Sequence, residues 1–241
     1  GRVDVALAIS RGPEVRFGDL RISGNRETRP SVILRLARIR PGEVYDQRRV
    51  ERGRLALLRS GLFEAVGPVG MSPASRSGTV DLSVEVAERR TNRIEGVLGY
   101  VPGIGGADGY TAGLLNLAFH NIAGTGRSAE IRWERKGPSS SDLDLGYDEP
   151  WIGPTPVSGR MRFSQVQRPG YAVTEVRIET GIPLPGDWTA EVGLGFIRAS
   201  PDSSGLGLVP QSRSWSGSGG TAVDSRSDPD NPRSGAFLGI Y

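Results

Sequence analysis

The sequence of 241 residues contains no cysteine and only one histidine, His120. The missing cysteines exclude a disulfide framework, a thiol nucleophile and a zinc site ligated by cysteine. A single histidine likewise excludes a histidine-rich metal site. No stretch approaches the roughly 20 apolar residues that a transmembrane helix requires, which excludes a helical membrane span.

A strong charge imbalance is also missing. Lys and Arg total 30, Asp and Glu total 27, and the formal net charge is +3. Because nucleic-acid binding needs a marked excess of positive charge, no nucleic-acid partner is expected. Aromatic residues make up only 7%, whereas glycine contributes 35 residues and proline 17. This composition favours many short strands and turns over a helical bundle.

The region from residue 13 to 89 mixes strand and helix signals. Residues 15–22 alternate as a strand that ends at Gly24-Asn25. Thr28 is the expected N-cap of a first helix with Pro30 in its first turn, and Pro41-Gly42 ends that helix.

A second helix has clearer boundaries. Asp46 is its expected N-cap, and Tyr45 before it can pack against Val50 as a hydrophobic staple. Gly61 is the expected left-handed residue after its C-terminus. Strands are predicted over residues 64–71 and 79–86, which gives the order β-α-α-β-β.

An internal similarity precedes this region. Residues 3–9 share the alternating pattern of residues 80–86, at an offset of about 77 residues. We interpret residues 1–12 as the last strand of a preceding copy of the same domain. The alternative is that two alternating strands resemble each other by chance.

From residue 92 onward the chain alternates between apolar and polar residues. Ala129, Ile131 and Trp133 interleave with charged neighbours, and turn-rich segments such as 137–139 and 168–170 separate the alternating stretches. The pattern repeats over residues 128–134, 142–148, 160–164, 175–179 and 189–196. It predicts a series of about eight antiparallel strands.

Alternation by itself fits two architectures. A soluble sandwich buries its apolar face, whereas a membrane barrel turns its apolar face to lipid and its polar face to the lumen. The barrel is favoured because the polar face carries charges of both signs and no second set of apolar strands is present. Aromatic residues also recur near the predicted strand ends, as in an interfacial girdle: Tyr100, Tyr110, Tyr147, Trp151, Tyr171 and Trp188.

A family resemblance rests on several ordered segments. In the first region these are residues 17–25, 41–46, 55–63 and 80–88, and in the second 93–100, 116–117, 120–126, 147–151 and 224–235. The first region resembles a POTRA domain, and the second resembles the beginning of an Omp85-superfamily barrel, as in its BamA and TamA branches.

The resemblance implies an α+β POTRA domain followed by an antiparallel transmembrane β-barrel. Residues 1–12 would end a preceding POTRA domain, 13–89 would form a complete one, and 92–241 would form the N-terminal half of a 16-stranded barrel. About eight strands would then form an open curved sheet. The implied location is the bacterial outer membrane, with the POTRA domain in the periplasm.

The implied function is assembly of client β-barrel or autotransporter proteins into the outer membrane. Unfolded clients and outer-membrane lipid are the expected partners, periplasmic or inner-membrane accessory proteins are allowed for, and no catalysis or cofactor is involved. The alternative is a polypeptide secretion pore of the two-partner type. A passive porin and a soluble β-rich binding protein are weaker alternatives.

Two edge segments are the expected client-pairing sites. The first strand of the barrel would form one side of a lateral gate, with Gly96 and Gly99 weakening its pairing. The POTRA domain would offer its own edge strand for β-augmentation. The gate residues are Arg93, Ile94, Glu95, Gly96, Val97, Leu98, Gly99 and Tyr100, and the POTRA edge residues are Glu64, Ala65, Val66, Gly67 and Val69.

Several motifs could carry chemistry but have simpler interpretations. Residues 124–129 match a dinucleotide fingerprint, yet they precede a strand where the fingerprint needs a helix, so a hairpin turn is favoured. His120 lacks a catalytic constellation and fits a turn or interfacial role.

Asp142 and Asp144, with Asp148 and Glu149, fit lumenal charge. The acidic residues 224–231 fit a solvated turn better than a calcium loop. The arginines 89, 90 and 93 fit a solvated linker or a contact with lipid headgroups equally well.

Overall fold

Two units make up the chain. The computed structural model describes residues 12–74, 76–90, 92–103, 105–106, 108–185, 188–206, 210–224 and 236–240. Contacts divide the chain into Gly1–Glu88 and Arg89–Tyr241. The strand predicted over residues 3–9 lies outside the described residues, so the preceding POTRA copy stays a prediction. Within the described ranges, no helix has the length and apolar character needed to span a membrane.

The first unit is a small sheet covered by two helices. Its strands are β1 (Arg16–Ser23), β2 (Phe63–Val66), β3 (Gly70–Pro73) and β4 (Thr79–Glu88), and its helices are α1 (Pro30–Ala37) and α2 (Gln47–Arg59). The central strand is β4, which runs parallel to β1 and antiparallel to β2 and β3 on its other side. The predicted α+β arrangement is therefore confirmed.

The predicted continuous strand over residues 64–71 is wrong in one respect. Two four-residue strands, β2 and β3, take its place, and both pair with β4. Pro68 lies between them and has no N–H to donate to a ladder. The edge of this sheet is therefore interrupted.

The core of the first unit lies between the sheet and the helices. Phe17, Ile33 and Phe63 are almost completely buried. They come from β1, α1 and β2, so sheet and helices share one apolar interior. The other buried apolar side chains are Val32, Ala37, Ile39, Val50, Leu57, Leu62, Val66, Leu82, Val84 and Val86.

A β-bulge keeps β1 aligned with this core. Phe17 pairs with Val80 and Leu20 pairs with Leu82, so Gly18 and Asp19 together face Asp81. The buried Asp81 carboxylate accepts a hydrogen bond from the Asp19 N–H at 2.9 Å. A Cβ at Gly18 would overlap this carboxylate, which explains the glycine. Because the bulge adds one residue, Phe17 and Leu20 lie on the same face of the sheet.

The start of α1 differs from the prediction. Arg29, not Thr28, is the N-cap, and its side chain makes no capping hydrogen bond. Thr28 is buried, and its N–H donates to the Glu88 carboxylate at 2.6 Å. The N–H groups of Arg26 and Glu27 donate to the same carboxylate at 2.9 and 3.0 Å. The last residue of β4 thus anchors the loop that leads into α1.

This anchor changes the acidity of Glu88. Burial alone would raise its pKa, but hydrogen bonds from the Thr28 side chain and from three backbone N–H groups outweigh burial and lower the pKa to about 2. The charged carboxylate is therefore the form that holds the loop.

The predicted boundaries of α2 are confirmed. The Asp46 side chain accepts a hydrogen bond from the Arg48 N–H at 2.9 Å, and Gly61 adopts φ +73° directly after the C-cap Ser60. Inside the helix, Gly53 lies against α1, where an added Cβ would be 2.6 Å from the Ala37 carbonyl oxygen. The two helices can approach this closely only because position 53 has no side chain.

The second unit is one antiparallel meander of nine strands in the described residues. The predicted open antiparallel sheet of about eight strands is therefore confirmed, with nine strands described. Each strand pairs with its neighbours in sequence, and β5 and β13 form the two ends of the order. The strands are β5 (Arg93–Val101), β6 (Tyr110–Phe119), β7 (Ser128–Gly137), β8 (Ser140–Glu149), β9 (Ser158–Arg168), β10 (Tyr171–Pro183), β11 (Trp188–Pro201), β12 (Ser212–Asp224) and β13 (Phe237–Ile240).

Replacing Gly53 by alanine should destabilise the first unit by about 1–3 kcal/mol, because the new methyl group overlaps the backbone of α1. Helix propensity alone predicts the opposite sign, a gain of about 1 kcal/mol. Urea unfolding of the first unit measures the difference. Arg48→Ala, at an exposed position of the same helix, should be nearly neutral. A stabilised Gly53→Ala variant would contradict the close helix contact.

The Glu88 anchor predicts a pH dependence of stability. Because the folded pKa lies below the ordinary value, the stabilisation is present above about pH 4.5 and is lost as the pH falls toward 2. Glu88→Gln should lower the free energy of unfolding at pH 7 by on the order of 1–2 kcal/mol and flatten its pH dependence in that window. Faster amide exchange at residues 26–28 should accompany the loss. Glu85→Gln, at an exposed position of the same strand, is the control, and equal effects of both variants would refute the anchor.

Candidate functional site

The eight residues predicted for the lateral gate all lie in β5. This strand pairs with β6 from Arg93–Ala118 to Val101–Tyr110, and the described residues provide no strand on its other side. All nine of its residues are exposed. Val97 and Leu98, which point to opposite faces, are each 68% exposed. Thus β5 offers a free backbone edge with uncovered side chains on both faces.

The two glycines of β5 differ in their surroundings. A Cβ at Gly96 would lie 3.1 Å from a methyl group of Leu115, whereas at Gly99 the nearest heavy atom would be 4.0 Å away. The register with β6 continues through both without a shift. The glycines therefore remove side-chain contacts without interrupting the ladder, and the expected weakness of this pairing stays a prediction.

The predicted POTRA edge is divided. Glu64, Ala65 and Val66 belong to β2, whereas Gly67 and Val69 belong to the connection to β3. The Gly67 N–H donates to the Glu85 carbonyl at 2.9 Å, so pairing with β4 extends one residue past β2. The uninterrupted edge is short, and Pro68 limits any added strand to a few residues.

Cross-strand rows separate the two faces of the second unit. One row, which runs from β5 to β12, consists of apolar residues only. The adjacent row points to the opposite face of the sheet and consists mostly of charged and polar residues. We call these the apolar face and the charged face. The first row is Ile94, Leu117, Ile131, Leu145, Phe163, Val176, Phe196 and Trp215, and the second is Glu95, Asn116, Arg132, Asp144, Ser164, Glu175, Ile197 and Ser214.

Ion pairs join strands across the charged face. Arg160 contacts Asp148 at 3.0 Å and Glu179 at 3.4 Å, and Arg162 contacts the same Asp148 at 3.1 Å. Asp148, Arg160 and Glu179 line part of an open depression of about 280 Å³. Asp142 likewise pairs with Arg168, whose Nη2 donates a hydrogen bond to Asp142 Oδ2 at 3.0 Å. The sequence reveals the shared face of these residues through alternation, but their partners depend on strand register.

Glu149 does not share the face of Asp148. It lies at the end of β8 and pairs with Gly159, so the strand register assigns it to the apolar face. Its carboxylate contacts Arg127 at 2.7 Å and accepts a hydrogen bond from the Tyr147 hydroxyl at 3.1 Å. Adjacent residues of a strand point to opposite faces, yet Glu149 lines the same depression as Asp148, so its interpretation as lumenal charge stays a prediction.

The aromatic residues lie near strand ends as expected, but on both faces. Tyr110, Tyr171 and Trp188 begin their strands. The register assigns Tyr100, Tyr147 and Trp188 to the apolar face, and Tyr110 and Tyr171 to the charged face. Only part of the predicted girdle therefore faces the apolar side.

The segment that matches a dinucleotide fingerprint is a turn. Asn121 and Ala123 have φ values of +55° and +52°, and the Asn121 side chain accepts a hydrogen bond from the Gly126 N–H at 2.9 Å. The strand β7 follows, so no helix N-terminus is available for a pyrophosphate. His120 precedes this turn, 3.9 Å from Glu130. The preferred turn interpretation is confirmed.

The remaining motifs concern acidic and basic residues. The described ranges contain no group of three or more His, Asp or Glu side chains arranged for a metal. The acidic segment 224–231 lies outside the described residues apart from Asp224. Arg93 contacts Glu95 at 3.5 Å, whereas the roles expected for Arg89 and Arg90 stay predictions.

Comparison with known proteins identifies the first unit. Residues 15–89 match the family model described as POTRA, surface antigen variable number repeat. The outer membrane protein assembly factor BamA of Neisseria meningitidis serogroup B is 28% identical over 156 residues, covering 65% of this chain and 19% of that protein.

Two solved structures share the fold. BamA from Haemophilus ducreyi lacking POTRA domains 1–3 aligns with a TM-score of 0.55 and 18% identity over 95% of this chain and 48% of that chain. CdiB from Acinetobacter baumannii aligns with a TM-score of 0.53 and 13% identity over 87% of this chain and 42% of that chain. The chain thus spans less than half the length of these solved chains and about a fifth of the curated relative. Residues 15–89 match the POTRA family, the open antiparallel sheet has the fold of part of a BamA-like barrel, and together these similarities support the predicted resemblance to the Omp85 superfamily.

Proposed function

We propose that this chain belongs to a factor that assembles β-barrel or autotransporter clients in the bacterial outer membrane. The observation that carries the proposal is the edge of β5, which pairs only with β6 within the described residues and is exposed along its whole length. The POTRA domain would lie in the periplasm, with outer-membrane lipid against the apolar face.

The mechanism follows from the solvation of the backbone. In hydrocarbon, an extended client segment has no water to satisfy its N–H and C=O groups. The free edge of β5 presents complementary groups along nine residues. A client strand that pairs with this edge satisfies both ladders at once. This action uses strand pairing alone and requires no catalysis or cofactor.

The POTRA edge contributes a shorter pairing site in this proposal. Its residues Glu64, Ala65 and Val66 lie in β2, and Pro68 stops the ladder two residues later. A client could therefore pair over only a few residues, which favours weak and reversible capture before transfer to β5. Periplasmic or inner-membrane accessory proteins could share this surface.

A polypeptide secretion pore is the second candidate. The charged face supports it, because ion pairs such as Arg160–Glu179 and Arg162–Asp148 line a surface that is compatible with water. In that case the polypeptide would contact residues of the charged face in the middle of the sheet, and the β5 edge would be only a structural seam.

Photo-crosslinking separates the two functions. Glu95 on β5 and Asp144 on β8 are matched positions, since both are exposed carboxylates on the charged face in the same cross-strand row. A photoreactive residue is introduced at each position in the membrane-embedded protein while a barrel client is in transit. The assembly role predicts client adducts at position 95 at least about tenfold above those at position 144, because β5 has a free edge whereas β8 is paired on both sides.

The opposite pattern would support secretion. Client pairing at β5 would be refuted if adducts form at position 144 and at Glu130 on β7 but not at position 95. A passenger polypeptide that is not destined for the membrane provides the control, because the assembly role predicts no adduct with it at position 95.

A further inference from the structure

The hairpin formed by β5 and β6 differs from the rest of the second unit in its charge distribution. Residues 96–101 and 110–115 pair with each other and contain no charged side chain on either face. On the apolar face, Leu98 is 68% exposed, and on the charged face Val97 is 68% exposed and Leu114 is 37% exposed. This half of the hairpin is thus apolar on both sides.

The three other described hairpins whose turns lie on the same side of the sheet as the β5–β6 turn do not share this property. Near their corresponding turns, the β7–β8 hairpin carries Glu134 and Asp142, β9–β10 carries Arg168, and β11–β12 carries Arg198 and Arg213. Glu134 lies directly beside Leu114 in the same row. The uncharged region therefore ends at the boundary between β6 and β7.

The uncharged region is continuous around the free edge of β5. Ile94, Leu98 and Tyr100 on the apolar face join Val97 and Val101 on the charged face across a single strand, with no neighbouring strand between the edge and its surroundings in the described residues. A surface turned to water has no physical need for two apolar faces, whereas acyl chains require both to be uncharged.

We infer that the inner side of this hairpin is a contact surface for lipid acyl chains. Bilayer lipid would wrap around the edge of β5 and cover its charged-face side as well as its apolar-face side. The inner residues of this surface are Val97, Gly99, Val101, Tyr110, Ala112 and Leu114.

This inference rests on the proposed lateral gate and specifies its surroundings. A client strand beside residues 96–101 of β5 would then contact lipid on both of its faces. Across the sheet from these residues, the first charged protein groups would lie beyond β6. Apolar side chains of the client could pass between lumen and bilayer along residues 96–101 and 110–115, which contain no charged side chain.

Fluorescence quenching tests the inference in the membrane-embedded protein. The chain has no native cysteine, so single cysteines at chosen positions can carry an environment-sensitive fluorophore. Val97→Cys is compared with Val166→Cys, the same residue type in the same cross-strand row of the same face. Leu98→Cys on the apolar face is the lipid-exposed reference. The vesicles contain phosphatidylethanolamine and phosphatidylglycerol with brominated acyl chains, and aqueous iodide is the second quencher.

The fluorescence quenching by brominated lipid at position 97 should be within about a factor of two of the quenching at position 98. Iodide should preferentially quench the probe at position 166. Iodide quenching at 97 equal to that at 166 would overturn the inference, as would protection of 97 from both quenchers by covering protein. Val97→Ser and Val166→Ser, labelled at Leu98→Cys, check that the sheet is intact. Client adducts at position 95 are scored separately. If they persist without lipid quenching at 97, the lipid contact fails and the assembly role stands.

Discussion

Backbone pairing between strands is the constraint on which the rest of the second unit depends. A strand that crosses hydrocarbon must satisfy every N–H and C=O within protein, and a meander does so for each strand that has two neighbours. The nine-stranded order leaves β5 with one neighbour in the described residues. The proposed function uses this incompletely paired strand, which is exposed along its whole length.

The same pairing fixes the chemistry of the two faces. Because side chains alternate with a period of two, one register places Ile94, Leu117 and Ile131 in an apolar row and Glu95, Asn116 and Arg132 in the next. A slip of one residue would move charges onto the apolar face. The ion pairs of Arg160 with Asp148 and Glu179 fit this register, since Arg160 lies directly opposite each carboxylate on the two neighbouring strands.

The first unit is organised around β4 rather than around an edge. This strand supplies buried apolar residues to the core, positions Asp81 under the bulge of β1, and ends in the carboxylate of Glu88 that holds residues 26–28. Its outer strand is split at Pro68, which keeps the unit's free edge short. Of the two edges predicted to pair with clients, β5 is therefore the longer, with nine residues against the four of β2.

The sequence by itself determined the β-α-α-β-β order, the caps at Asp46 and Gly61, and the alternation of the second unit, because local propensity and periodicity act within a few residues. Tertiary structure decided what depends on distant partners. Three features involve residues that are far apart in the chain. Glu88 acts in place of a Thr28 cap, glycine is needed at positions 18 and 53, and Arg160 pairs with Asp148 and Glu179. The face of Glu149 and the division of the POTRA edge at Pro68 were likewise decided by register. Alternation shows that two faces exist, but only the paired strands determine which side chains meet and which edge remains open.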